Sequence, residues 1–275
     1  MPRLTVIIIS LIIFLGFNQA LAEETLLDAN NNDNKQSCQL TFGFTEWKPL
    51  QYLNKSGIPT GIQIDLVKKI LKEMDCQLKF NFGTWAENLE QIKLGEVDFT
   101  ANASKTIERQ TWGLFSTPYR KDEFTVYVKQ EDKEKFKFNS IEALKKSGFK
   151  LGLTQNYMHG SEIEAWQNES QYKNQLTYVE FADQNFERLF NNEIDGLLED
   201  PLVVSYRLRA KDFERRVIAL PIRTFGRDVS FIFSKKNFDQ AFIEKFNQAL
   251  NKVTNDPSNR SIWIANKPQL PAKIN

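Results

Sequence analysis

Histidine is nearly missing from this chain: His159 is the single one in 275 residues. Cysteine is almost as scarce, with Cys38 and Cys76 alone. Two thiols and one imidazole fall short of a zinc ligand set. No Ser-His-Asp pattern, glycine-rich phosphate loop or metal cluster can be assembled, and nothing calls for a cofactor. Surplus charge is absent as well. The 36 basic residues stand against 35 acidic ones, which gives no support for binding nucleic acid or an anionic membrane. Long apolar runs are confined to one place, TVIIISLIIFLGF, after Arg3 and before Ala20-Leu21-Ala22. That is the pattern of a secretory signal peptide over residues 1–22, too short to span a bilayer comfortably. No Cys stands at the expected cleavage point, so a lipid anchor is not expected. Removing residues 1–22 takes only Arg3 from the 36 basic residues, leaving 35 against 35 in a soluble, exported chain.

What the chain has is aromatic and apolar material for a core: 22 Phe, 5 Trp and 41% hydrophobic residues overall. Residues 23–37 are polar and Asn-rich and read as a flexible leader. Cys38 and Cys76 sit in matching contexts, CQLTF and CQLKF, each heading a strand-like run. If those strands are parallel neighbours the sulfurs start side by side. A disulfide and two buried free thiols both fit the sequence, and geometry decides between them.

The stretch from Val97 to Tyr119, VDFTANASKTIERQTWGLFSTPY, organises the rest. A strand over Val97–Ala101 runs into the small polar residues Thr100, Asn102 and Ser104, and Arg109 follows one helical turn later. Small side chains at the carboxyl end of a strand let a ligand approach closely in an open α/β sheet. An arginine offers a planar fork of donors suited to a carboxylate.

Before this stretch lie a strand at Gln39–Thr45, a helix from Gly61 with an apolar stripe, a strand at Leu78–Phe82 and a helix at Trp85–Leu94. After it, Glu123–Lys129 reads as a strand crossing to a second set of βα units. Those comprise helices at Ser140–Lys146, Tyr157–Trp166, Gln184–Asn191 and Pro201–Arg209, with strands at Phe149–Leu153, Leu176–Phe181, Ile194–Leu198 and Val217–Pro221. The chain then returns through a strand at Asp228–Ser234, a long helix over Phe238–Val253 and a short one near Ser258–Ala265. LEQIKLGEVDFTAN and FERLFNNEIDGLLE share spacing and character, each a helix, a Gly95 or Asn192 cap suited to a left-handed backbone, and a strand. Beyond its strand the first copy presents Asn102 and Ser104; the second presents Glu199 and Asp200. Two crossings between two such lobes make a hinge.

On these residues the sequence resembles the periplasmic solute-binding proteins of polar amino-acid ABC transporters, over nearly the whole mature chain. The most specific part is the spacing from the strand to Thr106-Ile107-Glu108-Arg109 and on to Phe115-Ser116-x-Pro118-Tyr119. The resemblance implies an α/β, two-lobed type II binding-protein fold, with two doubly wound sheets joined by a two-crossing hinge. It implies lobe 1 at 38–126 and 226–275 and lobe 2 at 127–225. It places Arg109 on a ligand α-carboxylate with Asn102 and Ser104 assisting, Trp47 and Trp85 as aromatic walls, and Asp200 on the α-ammonium. Phe44, Tyr157 and Glu199 complete the candidate set. The implied protein is a periplasmic monomer that closes on a small zwitterion and delivers it to a membrane ABC permease or a sensor.

One departure stands out. The second-lobe anion loop of that family carries Ser or Thr after a Gly; here it reads Gln155-Asn156-Tyr157-Met158-His159-Gly160, which leaves backbone N–H groups at a helix start to serve the carboxylate. Plainer roles exist for several residues. Trp47 and Trp85 can be core, Asp200 can cap the helix opening at Pro201, Glu199 can sit in an ion pair and His159 in a loop. The competing function is an enzyme on the same fold, a cyclohexadienyl or arogenate dehydratase with Glu199 or His159 as general acid. A further reading is a receptor-type binder of another small anion.

Overall fold

The computed structural model describes residues 38–209 and 216–259. The expected signal peptide and leader lie outside the described residues, as does all of the expected last helix except a 3-10 turn at Pro257–Asn259. Strand β1 (Gln39–Phe44) buries Leu40, Phe42 and Phe44. A short hairpin, β2 (Tyr52–Leu53) with β3 (Pro59–Thr60), follows. Helix α1 (Ile62–Glu73) then turns Ile64, Val67, Ile70 and Leu71 inward, the spacing of a single helical face. Strand β4 (Gln77–Phe82) lies parallel to β1 with Gln39 opposite Gln77. The residues just before them, Cys38 and Cys76, are joined by a disulfide with their Cα atoms 4.5 Å apart.

Helix α2 (Trp85–Leu94) opens with a capping box: Glu87 N–H donates to Thr84 Oγ1 at 3.2 Å and Thr84 N–H to Glu87 Oε2 at 2.7 Å. It closes at Gly95, whose φ of 82° is left-handed. This pair of stops holds Trp85 as the first helical residue. Strand β5 (Phe99–Ser104) runs further than its apolar residues suggest, because Ala103 and Ser104 pair with Ser230 and Val229. Asn102 and Ser104 therefore belong to the strand itself. Helix α3 (Ile107–Trp112) is capped by Thr106, whose side chain accepts from Arg109 N–H at 3.1 Å. Strands β6 (Gly113–Phe115) and β7 (Arg120–Lys129) follow.

The second set comprises α4 (Ile141–Ser147), β8 (Leu151–Thr154), α5 (Ser161–Asn168), β9 (Leu176–Val179), α6 (Asp183–Phe190), β10 (Gly196–Glu199) and α7 (Pro201–Arg209). Asn192, like Gly95, has a left-handed backbone, with φ 61°. Two boundaries differ from the sequence reading. Helix α5 starts at Ser161 rather than Tyr157, so residues 155–159 form a loop. The two expected strands at Val217–Pro221 and Asp228–Ser234 are one, β11 (Val217–Ser234). Helix α8 (Gln240–Asn255) then packs against α1.

The strand order is β4-β1-β5-β11-β7-β10-β8-β9. Two parallel blocks, β4-β1-β5 and β10-β8-β9, flank a central antiparallel pair, β11 and β7. The carboxyl part of β11 pairs with β5 and its amino part with the far end of β7. Register shifts between Ala219 and Arg223 and between Phe225 and Asp228 bend it on the way. Each block has its own core. Phe42, Phe99, Phe233 and Phe246 centre the first, with Phe99 stacked on Phe233 at 4.9 Å. Phe124, Phe149, Leu153 and Trp166 centre the second.

The disulfide closes a loop between residues 38 positions apart. Replacing both cysteines (Cys38→Ser with Cys76→Ser) should lower the unfolding free energy by about 2–4 kcal/mol, measured by denaturant titration. Wild-type protein under reductant should shift in the same direction.

Candidate functional site

Between the two blocks lies a cleft lined from the first by Thr45, Trp47, Gln51, Trp85, Asn102, Ser104 and Arg109. Asp122, Phe124, Asn156, Tyr157 and Met158 line it from the central strands and the second block. The crevice holds about 400 Å³ of unfilled space counted out to its mouth, but only about 20 Å³ where the centre of a water fits. That is room for roughly one water.

Arg109 reaches the cleft because the Thr106 cap sets it in the first turn of α3, beside the end of β5. Its Nη1 donates to Ser104 O at 3.2 Å and its Nη2 to Asn156 O at 3.1 Å. The guanidinium is 5.7 Å from the Trp85 ring centre, and Trp85 Nε1 also donates to Asn156 O, at 3.2 Å. Burial works against the Arg109 charge, and neighbouring Glu108 partly offsets that. Asn102 is held by Tyr119, whose hydroxyl donates to Asn102 Oδ1 at 2.9 Å and accepts from Asn102 N–H at 3.1 Å. Asn102 has a left-handed φ of 60°, and its buried Nδ2 has no hydrogen-bond partner among the described residues. Gln51 Oε1 is likewise buried and unpartnered. The cleft wall thus carries both a spare donor and a spare acceptor, an arrangement that buried polar atoms rarely keep without a ligand or water.

A charged cluster absent from the sequence expectations adjoins the cleft through Asp122. Arg120 Nη2 contacts Asp200 Oδ2 at 2.6 Å and Asp122 Oδ1 at 2.7 Å, and its guanidinium lies 5.4 Å from the Trp47 ring centre. Burial would lower the Arg120 pKa, but the carboxylates of Asp200 and Asp122 outweigh it and raise it. Burial lifts Asp122 to about 6 against the pull of Arg120. Asp200 Oδ1 also accepts from Leu202 N–H at 2.7 Å, so the residue caps α7 as well. Glu199 accepts from Trp47 Nε1 at 3.3 Å and from Asp200 N–H at 2.8 Å. Burial pushes it up to about 8, so it is largely protonated near neutrality. One cation against two anions leaves the cluster with a net negative charge, and Asp122 brings it to the cleft that Arg109 also lines.

Of the candidate residues, Arg109, Trp47, Trp85, Asn102, Ser104 and Tyr157 come together on the cleft wall. Asp200 and Glu199 are not on that wall; they contact Arg120 and Trp47 respectively. Phe44 does not reach it; its ring packs in the first core beside Phe80 and Phe82. Tyr157 lies in a loop rather than at a helix start, and the loop turns a carbonyl, Asn156 O, toward Arg109 where N–H groups were expected. His159 is buried next to Phe124 and Tyr157, away from the cleft wall, and burial lowers its pKa to about 3. The sequence reading missed Gln51, Asp122 and Arg120. Arg120 and Asp122 sit two apart on a strand, on one face, which was the signal available. No group of His, Cys, Asp and Glu suited to a metal ion occurs among the described residues.

A family model matches residues 40–263, that of bacterial extracellular solute-binding proteins, family 3. The chain belongs to that family. Over 223 residues it is 24% identical to the putative ABC transporter arginine-binding protein 2 of Escherichia coli (strain K12), covering 79% of this chain and 85% of that one. A shorter match, 29% identical over 91 residues, covers 32% of this chain and 36% of the amino-acid-binding protein AabA of Dichelobacter nodosus. Among solved structures it resembles ArtJ, the arginine-, lysine-, histidine-binding protein of Geobacillus stearothermophilus. The TM-score is 0.69 at 20% identity, covering 85% of this chain and 97% of that one. The fold of this solute-binding protein is thus that of type II periplasmic binding proteins. No helix among its described residues is long and apolar enough to cross a membrane.

Glu199 gives a pH signature with a definite sign. Its folded pKa, about 8, lies above the ordinary 4.5. Between those values the unfolded chain has lost a proton that the folded one keeps, so stability falls as pH rises, by up to about 1.4 kcal/mol per unit. Glu199→Gln keeps an oxygen for Trp47 and Asp200. In urea titrations at pH 5 and pH 8 the variant should gain on wild type at pH 8 and show a flatter profile.

Proposed function

We propose that this protein binds a small zwitterionic amino acid in the cleft and hands it to a membrane ABC permease. The observation that carries the reading is the pairing of buried Arg109, with Asn102 Nδ2 beside it, against the net-negative cluster of Arg120, Asp122 and Asp200. A zwitterion brings a carboxylate and an ammonium on one carbon, and these two walls offer each its counter-charge. The family and the names of the matched relatives, amino-acid- and arginine-binding proteins, support the same ligand class.

In this reading residues 38–126 and 226–275 form one lobe and 127–225 the other, and β7 and β11 are the two crossings of the hinge. The bonds of Arg109 and Trp85 to Asn156 and of Trp47 to Glu199 bridge the lobes and would break on opening. Closure around a ligand follows from the larger number of charge-assisted bonds made when both walls meet it. Residues 1–22 act as a signal peptide, and the mature chain works as a monomer in the periplasm. The dehydratase reading draws less support, because Glu199 and His159, the acids it would use, do not line the cleft.

The test is a thermal-shift panel of the twenty amino acids, with prephenate and arogenate added, on wild type and Arg109→Ala. A ligand at a hundred times its dissociation constant stabilises by about 2.7 kcal/mol. One or a few amino acids should raise the melting temperature, and Arg109→Ala should weaken them by roughly 10- to 150-fold, the loss of a charged hydrogen-bond pair. Consumption of prephenate or arogenate, or no response to any amino acid, would overturn the proposal.

A further inference from the structure

We propose that Tyr157 is a built-in occupant of the slot between Trp47 and Trp85, and that it restricts the site to zwitterions with short side chains. The inference rests on the amino-acid reading above and sharpens it. Three observations carry it. The Tyr157 ring stands edge-to-face with both indoles, with ring centres 5.8 Å from Trp47 and 6.2 Å from Trp85. Each indole packs against a guanidinium, Arg120 over Trp47 and Arg109 over Trp85, so a ring that swings aside gives up a cation–π contact. With the Tyr157 ring in place, the cleft as a whole, slot included, leaves room for roughly one water.

The loop that carries Tyr157 is anchored on both sides. Asn156, at a left-handed φ of 60°, presents its carbonyl to both Arg109 Nη2 and Trp85 Nε1. On the other side, His159 O accepts from Thr224 Oγ1 at 2.7 Å, which ties the loop to β11. A flat ring wedged between two aromatic walls takes the volume that a long or flat ligand side chain would need. The carboxylate and ammonium of a ligand meet Arg109 and the acidic cluster beside this slot, not inside it. Glycine and alanine need little of the slot, whereas arginine needs all of it. The consequence is a site whose walls carry the two charges for an α-amino acid while its side-chain compartment is filled from within.

The experiment is isothermal titration of the mature chain and of Tyr157→Ala and Tyr157→Phe with glycine, alanine and arginine. Wild type should bind glycine or alanine more tightly than arginine. Tyr157→Ala should bind arginine at least tenfold more tightly than wild type does, with glycine changed less than twofold. Tyr157→Phe, which keeps the ring, should retain the wild-type preference. Wild type preferring arginine would overturn the proposal without any variant, and so would weaker arginine binding in Tyr157→Ala, which would make Tyr157 a wall that the ligand stacks on. If none of the three proteins binds any of these amino acids and the full panel above is also silent, the amino-acid reading falls and this inference with it. Silence here alongside a response to another amino acid in that panel overturns only the size restriction.

Discussion

Arg120 is largely withdrawn from water with two carboxylates on a single nitrogen, and much of the molecule is arranged to make that tolerable. A buried guanidinium stripped of a partner leaves an uncompensated charge, a loss of about 3–5 kcal/mol. Arg120 and Asp122 arrive together on one face of β7, at the point where that strand passes from the first block toward the second. Asp200 arrives from the end of β10 and is itself pinned by capping α7. The electrostatic knot therefore sits on the crossing. It couples the position of the second block to the face of Trp47, and through Trp47 to Glu199. Burial above all lifts Glu199 to about 8, with the Asp200 charge adding to the rise and Arg120 opposing it.

Much of the local structure was readable from residues with strong local preferences. Thr84 and Glu87 at one end and Gly95 at the other mark α2 to the residue, and the apolar face of α1 announces its own period. The spacing from the strand put Arg109 one helical turn on, and the Thr106 cap fixes it there. Legibility failed where long-range pairing overruled local punctuation. Pro221 and Gly226 look like strand breakers, yet both fall within the register shifts of β11, where a ladder bond is skipped and a missing N–H or side chain is harmless. Asn156-Tyr157-Met158 resembles the start of a helix. The left-handed turn at Asn156 and the positive φ of Gly160 hold it as a loop until Ser161.

The candidate site was legible to the extent that its chemistry sits on short local motifs. Arg109, Asn102, Ser104 and the two tryptophans belong to strand ends and helix starts, and those were readable. Arg120 was not, because its partner Asp200 is 80 positions away and a run reading RKDE looks like solvated surface. Asp200 caps a helix with one oxygen, the plainer of its two readings, and contacts Arg120 with the other. Its contact with Arg120 means that any ligand ammonium would share an already paired carboxylate.

The arrangement of two indole–guanidinium pairs around one phenol has an optical consequence. Indole emission is sensitive to nearby charge and to contact with other aromatic rings, and each tryptophan of the cleft meets its own guanidinium and the shared Tyr157 ring. Any event that lifts the phenol out, or parts Trp85 from the Asn156 carbonyl, changes the surroundings of both fluorophores together. The molecule thus carries an unlabelled reporter in the very place where its occupancy would be decided.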